Sequence, residues 1–265
     1  MADYQWITFT TDYGLSDGFV AACHGVIARV NPTVRVIDVT HQIPPYDIRR
    51  GAAVLAQTMP YLPPAVHVAV VDPGVGTTRR AVAVGTAGGI CVGPDNGLLC
   101  WAVDALGGAR EVAVLAARRS TGAARTFDGR DVFAPVAAHL ADGTALRDVG
   151  ELVDPTTLVR LPDPVVSTAD GGLTAEVLTI DRFGNVQLAA AGSLLDRCGR
   201  TLLVDQSPAV RGRAFGDVAA GELVVYVDSA GQAAVAVNGG HAATVLGLAP
   251  GDLVRLSWSR HDAVE

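Results

Sequence analysis

The chain reads as two folds in series: an N-terminal α/β domain with a mostly parallel or mixed central sheet, then an all-β barrel. Two observations carry this expectation. Over residues 1–152, apolar strand-like runs alternate with segments of helical length, the pattern of a sheet flanked by helices. From residue 173 to 265, short β-like runs separated by Gly-rich turns follow one another with no helix between them. Residues 153–172 carry Pro155, Pro162 and Pro164, then Asp170, Gly171 and Gly172, and read as a linker between the two.

The elements follow in order. Trp6 to Thr10 is a strand, and Phe19 to Val30 is an apolar helix with Ser16 or Asp17 able to cap it. Val34 to Val39 is a second strand. Asp47 then caps a helix reaching about Met59, whose Ala53, Leu55 and Ala56 form an apolar stripe. Val66 to Val71, Arg80 to Thr86 and Ile90 to Val92 are further strands. Asp131 opens a helix through His139, with Pro135 tolerable near its first turn. In the second half the strands are Leu173 to Ile180, Val186 to Ala189, Thr201 to Val204, Glu222 to Val227, Ala233 to Val237 and Asp252 to Trp258.

Composition narrows the chemistry. The 265 residues are 49% apolar and carry a net charge of −7, and every basic residue is arginine. Without lysine, neither a Schiff-base lysine nor a phosphate-loop lysine is available. No basic run exceeds a pair, so binding to nucleic acid by phosphate neutralisation is not expected. No apolar stretch approaches the roughly 20 residues of a membrane span, and no signal segment precedes the first strand. A cytoplasmic location is expected. Cys23, Cys91, Cys100 and Cys198 form no C-x-x-C pair and read as reduced, packed thiols. The six histidines show no ligand spacing either, so neither a metal nor a cofactor is expected.

Four acidic loops remain, all in the first half: TTDYG at Thr10 to Gly14, VDPGVGTTRR at Val71 to Arg80, GPDNG at Gly93 to Gly97, and FDGRD at Phe127 to Asp131. Three follow strands, where ligands bind in open α/β sheets. Asp72 and Arg79 sit across a loop whose Gly74 and Gly76 allow a tight return. A guanidinium favours the charged carboxylate, and such a pair either orients a water and accepts its proton or simply pins the loop. Asp12 can accept hydrogen bonds from a ribose diol, whereas Asp17 suits helix capping. Tyr46 lies beside two prolines and either stacks on a ligand or packs in a turn. GPDNG is first of all a turn. In the second half, IDRFGN at Ile180 to Asn185 places Phe183 and Asn185 either on a purine or in a hairpin turn. Clustered acidic groups at strand ends also suit a divalent-metal phosphohydrolase, and a non-catalytic adenosine-binding protein is a second alternative.

Taken together, TTDYG with Asp17, VIDVTHQIPPYDIRRGA, VDPGVGTTRR, VGPDNGLL, TFDGRDVFAP with AAHLADG, and IDRFGN resemble the superfamily of S-adenosylmethionine-dependent fluorinases, chlorinases and hydroxide adenosyltransferases. The motifs run in order from about Ile7 to Asn185. In this superfamily the position of Asp72 is tyrosine in the halogenases and Asp in the hydroxide-using branch, with Arg seven residues later; Asp72 and Arg79 therefore resemble the latter. A carboxylate in the nucleophile pocket would repel a halide but can orient and deprotonate water. The resemblance implies metal-independent hydrolysis of S-adenosyl-L-methionine to adenosine and L-methionine by attack at ribose C5′, in a homotrimer with active sites between subunits. It also implies Asp12 for the ribose, Asp72 and Arg79 for the water, and Asp17 and Asp181 for the methionine ammonium. Ser229 would serve the carboxylate, Asn185, Phe215 and the backbone from Val237 the adenine, and Tyr46 the pocket wall. The branch generally carries histidine where this chain has Asp128, which leaves three roles for Asp128: a replacement base, a brace for Arg79, or a source of impaired turnover.

Overall fold

The computed structural model describes residues 4–116, 126–169 and 171–258; Asp170 and the end of the expected C-terminal domain lie outside them. The chain divides into two compact units between Leu161 and Pro162. The span expected as a linker holds the end of one strand, a 3-10 turn at Pro155–Thr157 and another strand, Val166–Ala169.

The first unit is a mixed sheet between helices. Its strands are β1 (Trp6–Thr11), β2 (Arg35–Thr40), β3 (Ala65–Val70), β4 (Ala81–Gly85), β5 (Gly89–Pro94), β6 (Glu111–Leu115) and β7 (Gly150–Val153), in the spatial order β2-β1-β3-β5-β4-β6-β7. The first four in that order are mutually parallel and the remaining pairings antiparallel. All six residues of β3 are buried, so it lies at the centre of the core. Its side chains alternate between faces, as a strand's period of two requires. Val66, Val68 and Val70 pack on one side with Cys23 and Ile27 of α1 (Phe19–Val30) and with Ala137 and Leu140 of α4 (Ala134–Ala141). Ala69 packs on the other with Leu55 of α2 (Ile48–Thr58) and Ala102 of α3 (Cys100–Ala105).

Local chemistry explains the helix starts. Asp47 caps α2 by accepting a bond from the Arg50 N–H at 2.9 Å, a contribution of about 1 kcal/mol for such a cap. The expected capping of α1 by Ser16 or Asp17 does not occur: Gly18 holds the N-cap position and no side-chain bond is made there. The helix expected from Asp131 starts instead as a π turn, Gly129–Phe133, that runs into α4 with Pro135 in its first turn.

The second unit is a barrel. Its strands are β8 (Val166–Ala169), β9 (Gly172–Ile180), β10 (Val186–Ala191), β11 (Thr201–Val204), β12 (Ser207–Arg211), β13 (Leu223–Val227), β14 (Gln232–Val237) and β15 (Leu253–Ser257). The order β10-β14-β13-β12-β11-β15-β9 closes through β9–β10 pairing, giving seven strands with no free edge. Long β9 makes this possible: its second half pairs with β10 and its first half with β8. Leu173, Val177, Leu188, Val235, Val254 and Leu256 fill the interior. A short helix, α5 (Leu146–Val149), precedes β7 in the first unit, and α6 (Ala242–Leu246) follows β14 in the barrel.

Candidate active site

The parallel neighbours β1, β3 and β5 end side by side, and each passes into an acidic loop. Asp12 follows β1, Asp72 follows β3, and Asp95 follows β5. The loop after β3 folds back on itself: Val75 N–H donates to the Asp72 carbonyl, Thr77 N–H to that of Gly74, and Thr77 Oγ1 caps the Gly74 carbonyl at 2.6 Å. That return delivers Arg79 onto Asp72. Arg79 Nε lies 3.0 Å from both Asp72 carboxylate oxygens, and its Nη2 contacts Asp72 Oδ2 as well. The same Nη2 donates to Asp128 Oδ2 at 2.6 Å.

Both carboxylates are buried, with side-chain exposures of 5% for Asp72 and 2% for Asp128, and the Arg79 side chain between them is 13% exposed. Burial by itself would lower the Arg79 pKa. The hydrogen bonds and negative charge of Asp72, followed by those of Asp128, outweigh it and leave the pKa raised. The guanidinium also stacks 5.3 Å from the Phe133 ring centroid. Two carboxyl groups and one guanidinium thus share a setting with little solvent.

The adjacent arginine goes elsewhere. Arg80 Nε donates at 2.8 Å to Asp95, whose other oxygen accepts Val159 N–H at 2.9 Å. Asn96 Nδ2 holds the Val71 carbonyl at 2.9 Å and its Oδ1 accepts Leu98 N–H. GPDNG is thus a turn that fixes the end of β3 just before Asp72. Two consecutive arginines separate a structural bridge from the Asp72–Asp128 pair.

Tyr13 is a site residue that reading the motifs did not single out. Its ring packs edge-on to Phe127 at 5.6 Å, and its hydroxyl presses against Gly129, where a Cβ would lie 2.1 Å from it. Burial raises its pKa strongly, with further contributions from Cys23, Asp12, Asp72 and Asp128. A neutral phenol thus stands close to the buried carboxylates. The signal available in the sequence was its place directly after Asp12.

Asp12 does not join Arg79. Its Oδ2 accepts the Tyr46 backbone N–H at 3.0 Å. Tyr46 has φ of 68°, a left-handed conformation rare for an aromatic residue, and the residue is 70% exposed. Strain of this kind persists where surrounding contacts fix it, and Asp12 supplies one. Asp17 is exposed.

The remaining expected residues belong to the barrel unit. Asp181 Oδ1 accepts the N–H groups of Phe183 (2.8 Å) and Asn185 (2.9 Å), and Oδ2 accepts Asn185 Nδ2 at 2.8 Å. The two therefore form the β9–β10 hairpin turn together. Gly184 in that turn has φ of +82° and lies against His241, where a Cβ would be 2.2 Å from the ring. Phe215 is 45% exposed and stacks edge-on to Tyr226 at 5.3 Å. Ser229 sits at the tip of the β13–β14 hairpin, and Val237 ends β14.

A mixed sheet with carboxylates gathered at the ends of its parallel strands, joined in sequence to a closed barrel, defines an enzyme-like α/β plus β-barrel architecture. Residues 7–150 match the N-terminal domain of the SAM hydroxide adenosyltransferases and residues 175–255 match their C-terminal domain. The chain belongs to the SAM hydroxide adenosyltransferase family. It is 64% identical to an (R)-S-adenosyl-L-methionine hydrolase of Salinispora tropica, over 97% of this chain and 99% of that protein. A fluorinase of Actinoplanes sp. is more distant, at 30% identity over 88% of this chain and 90% of its own. Among solved structures, an uncharacterized conserved protein from Thermotoga maritima superposes with a TM-score of 0.87 at 35% identity, covering 95% of this chain and 99% of its own.

Proposed function

We propose that this chain hydrolyses (R)-S-adenosyl-L-methionine to adenosine and L-methionine, with Asp72 as the proton acceptor for the attacking water. The observation that carries the reading is the buried Asp72–Arg79–Asp128 group at the end of the central strand. Arg79 holds Asp72 through three donor contacts, which fixes the carboxylate plane while leaving lone pairs for a water. Asp128 occupies the remaining side of the guanidinium and braces it. A carboxylate lining the nucleophile pocket disfavours a halide and does not repel neutral water.

In the reaction a water oxygen forms a bond to C5′ of the ribose as the C5′–S bond breaks. The bonding pair leaves with sulfur, converting the sulfonium to the neutral thioether of methionine. The proton lost from water passes to Asp72 and then to solvent. Since the sulfonium is already a good leaving group, no acid is needed. The protein supplies alignment and a base. Asp12 is the proposed ribose ligand and Tyr46 the pocket wall; Asp17 and Asp181 are proposed for the ammonium, Ser229 for the carboxylate, and Asn185, Phe215 and the Val237 backbone for adenine. The active unit proposed is a cytoplasmic homotrimer that needs no metal for turnover.

The test is incubation of purified protein with the substrate, with and without chloride or a chelator, followed by chromatography. Adenosine and methionine in equal amounts are expected, with no 5′-halo-adenosine and no chelator effect on the rate. Halo-adenosine as the main product, or no turnover, would overturn the reading.

A further inference from the structure

Three side chains from different stretches of the first unit meet outside the Asp72 group. His24 projects from α1, Asp38 lies in β2, and His41 follows β2. His24 Nε2 is 2.9 Å from Asp38 Oδ1, and His41 Nε2 approaches the same oxygen at 3.1 Å. The donor atoms of all three lie within 4.8 Å of one another. Their spacing in sequence gives no hint of this, because α1 and β2 are brought together by the sheet.

His41 shows the site is unfinished. Its side chain is 2% exposed, yet among the described residues Nε2 finds no hydrogen-bond partner, although it lies 3.1 Å from Asp38 Oδ1. Its Nδ1 is 2.9 Å from Thr11 Oγ1. In the tautomer that donates from Nδ1 to this oxygen, Nε2 carries a lone pair 3.1 Å from a carboxylate oxygen, a repulsive approach that a cation bound by both groups would relieve. Metal-bound histidines are held in this way, with the distal ring N–H on an oxygen acceptor. A buried polar atom without a partner is otherwise costly.

We propose that His24, Asp38 and His41 form a site for one divalent transition-metal ion of the zinc class, with solvent completing its coordination. Two imidazoles and one carboxylate are borderline donors suited to such an ion. Bonds of 2.0–2.1 Å in a tetrahedron place ligand atoms about 3.3 Å apart, slightly more than the Nε2–Oδ1 distances of 2.9 and 3.1 Å. His24, about one-third exposed and hydrogen-bonded to Asp38 Oδ1 through the same Nε2, has to turn that nitrogen toward the ion. The ion would tie α1 to β2. Through His41 it would also brace the loop after β1, because Thr11 Oγ1 accepts Tyr13 N–H at 3.1 Å and the His41 carbonyl accepts Gly14 N–H at 2.7 Å. The site is structural and takes no part in the chemistry at Asp72, so it does not rest on the proposed activity.

The test uses untagged full-length protein freed of metal by chelation. Zn²⁺ is titrated by calorimetry, and Co²⁺ is followed by the visible absorption of a low-symmetry, four-coordinate ion. Wild type, His24→Gln and Asp38→Asn are compared, with circular dichroism confirming that each is folded. One ion per chain is expected, with at least tenfold weaker binding and loss of the cobalt band in each variant. Zn²⁺ should raise the unfolding midpoint of wild type but not of either variant. No binding to wild type, or equal binding by all three proteins, would overturn the proposal.

Discussion

Replacing Asp72 with Asn removes one charge and almost no volume, so it separates chemistry from packing. Asp72 accepts Arg79 Nε at both carboxylate oxygens and Nη2 at one of them. An Asn there keeps a single acceptor and turns its NH₂ toward guanidinium donors, so part of that contact becomes repulsive. Losing one partner of a buried ion pair can cost about 3–5 kcal/mol. Asp128 still neutralises Arg79 here, so a loss of about 1–3 kcal/mol is expected, as for an unsatisfied buried group. The kinetic loss should be larger. Removing a positioned base lowers turnover by about 100-fold or more, equivalent to about 2.7 kcal/mol of barrier. Because the Asp12 contact to the Tyr46 backbone does not involve Asp72, the fall should appear in kcat and leave KM nearly unchanged. Adenosine release is measured by chromatography across substrate concentrations, beside thermal unfolding of the same preparation. A folded Asp72→Asn protein with kcat within a few-fold of wild type would refute the assignment of the base.

Three other outcomes follow from the same geometry. Gly129→Ala should drive a methyl group into the Tyr13 hydroxyl, where 2.1 Å is available, and shift Asp128 off Arg79; turnover should fall at least tenfold while circular dichroism stays near wild type, and an active Ala variant would sink the close-approach argument. His67 is fully buried, bonded through Nδ1 to Thr8, and burial pushes its pKa down from 6.5 to about 4. The folded state therefore resists a proton that the unfolded chain accepts, so stability is unaffected above about pH 6.5 and falls by roughly 3 kcal/mol as pH drops from 6.5 to 4; urea midpoints of wild type and His67→Gln across that range test it, and parallel curves would count against it. Burial pushes the thiols of Cys23 and Cys91 up to about 12 and that of Cys198 to about 11, so a thiol reagent should label them slowly in native protein and rapidly in denaturant; fast native labelling would contradict the packing.

Local rules accounted for much of the fold. Apolar alternation located β1, β3 and β9, and the Asp47 cap was readable because an N-cap acts within four residues. The short strands β6, β7, β8 and β12 were not legible. β8 is exposed along its whole length and β7 has two exposed and two half-buried residues, so neither bears a clear hydrophobic pattern, and both exist because a neighbouring strand offers its edge. α3 and α6 were missed too, being six and five residues long, below the length at which helical periodicity can be told from a turn.

The site divides in the same way. Asp72 and Arg79 are seven residues apart and share one loop, so a glycine-rich return sufficed to suggest their pairing. Asp128 reaches the same guanidinium from 49 residues further on, and family resemblance rather than spacing pointed to it. Tyr13 against Gly129, and His24 with Asp38 and His41, were invisible to any local pattern. What the sequence determined by itself is what nearest neighbours along the chain impose: strand period, caps, tight turns and the Asp72–Arg79 loop. The tertiary structure alone decided which distant polar groups share a dry space, because only packing of helices on the sheet removes the water that would otherwise keep those groups apart.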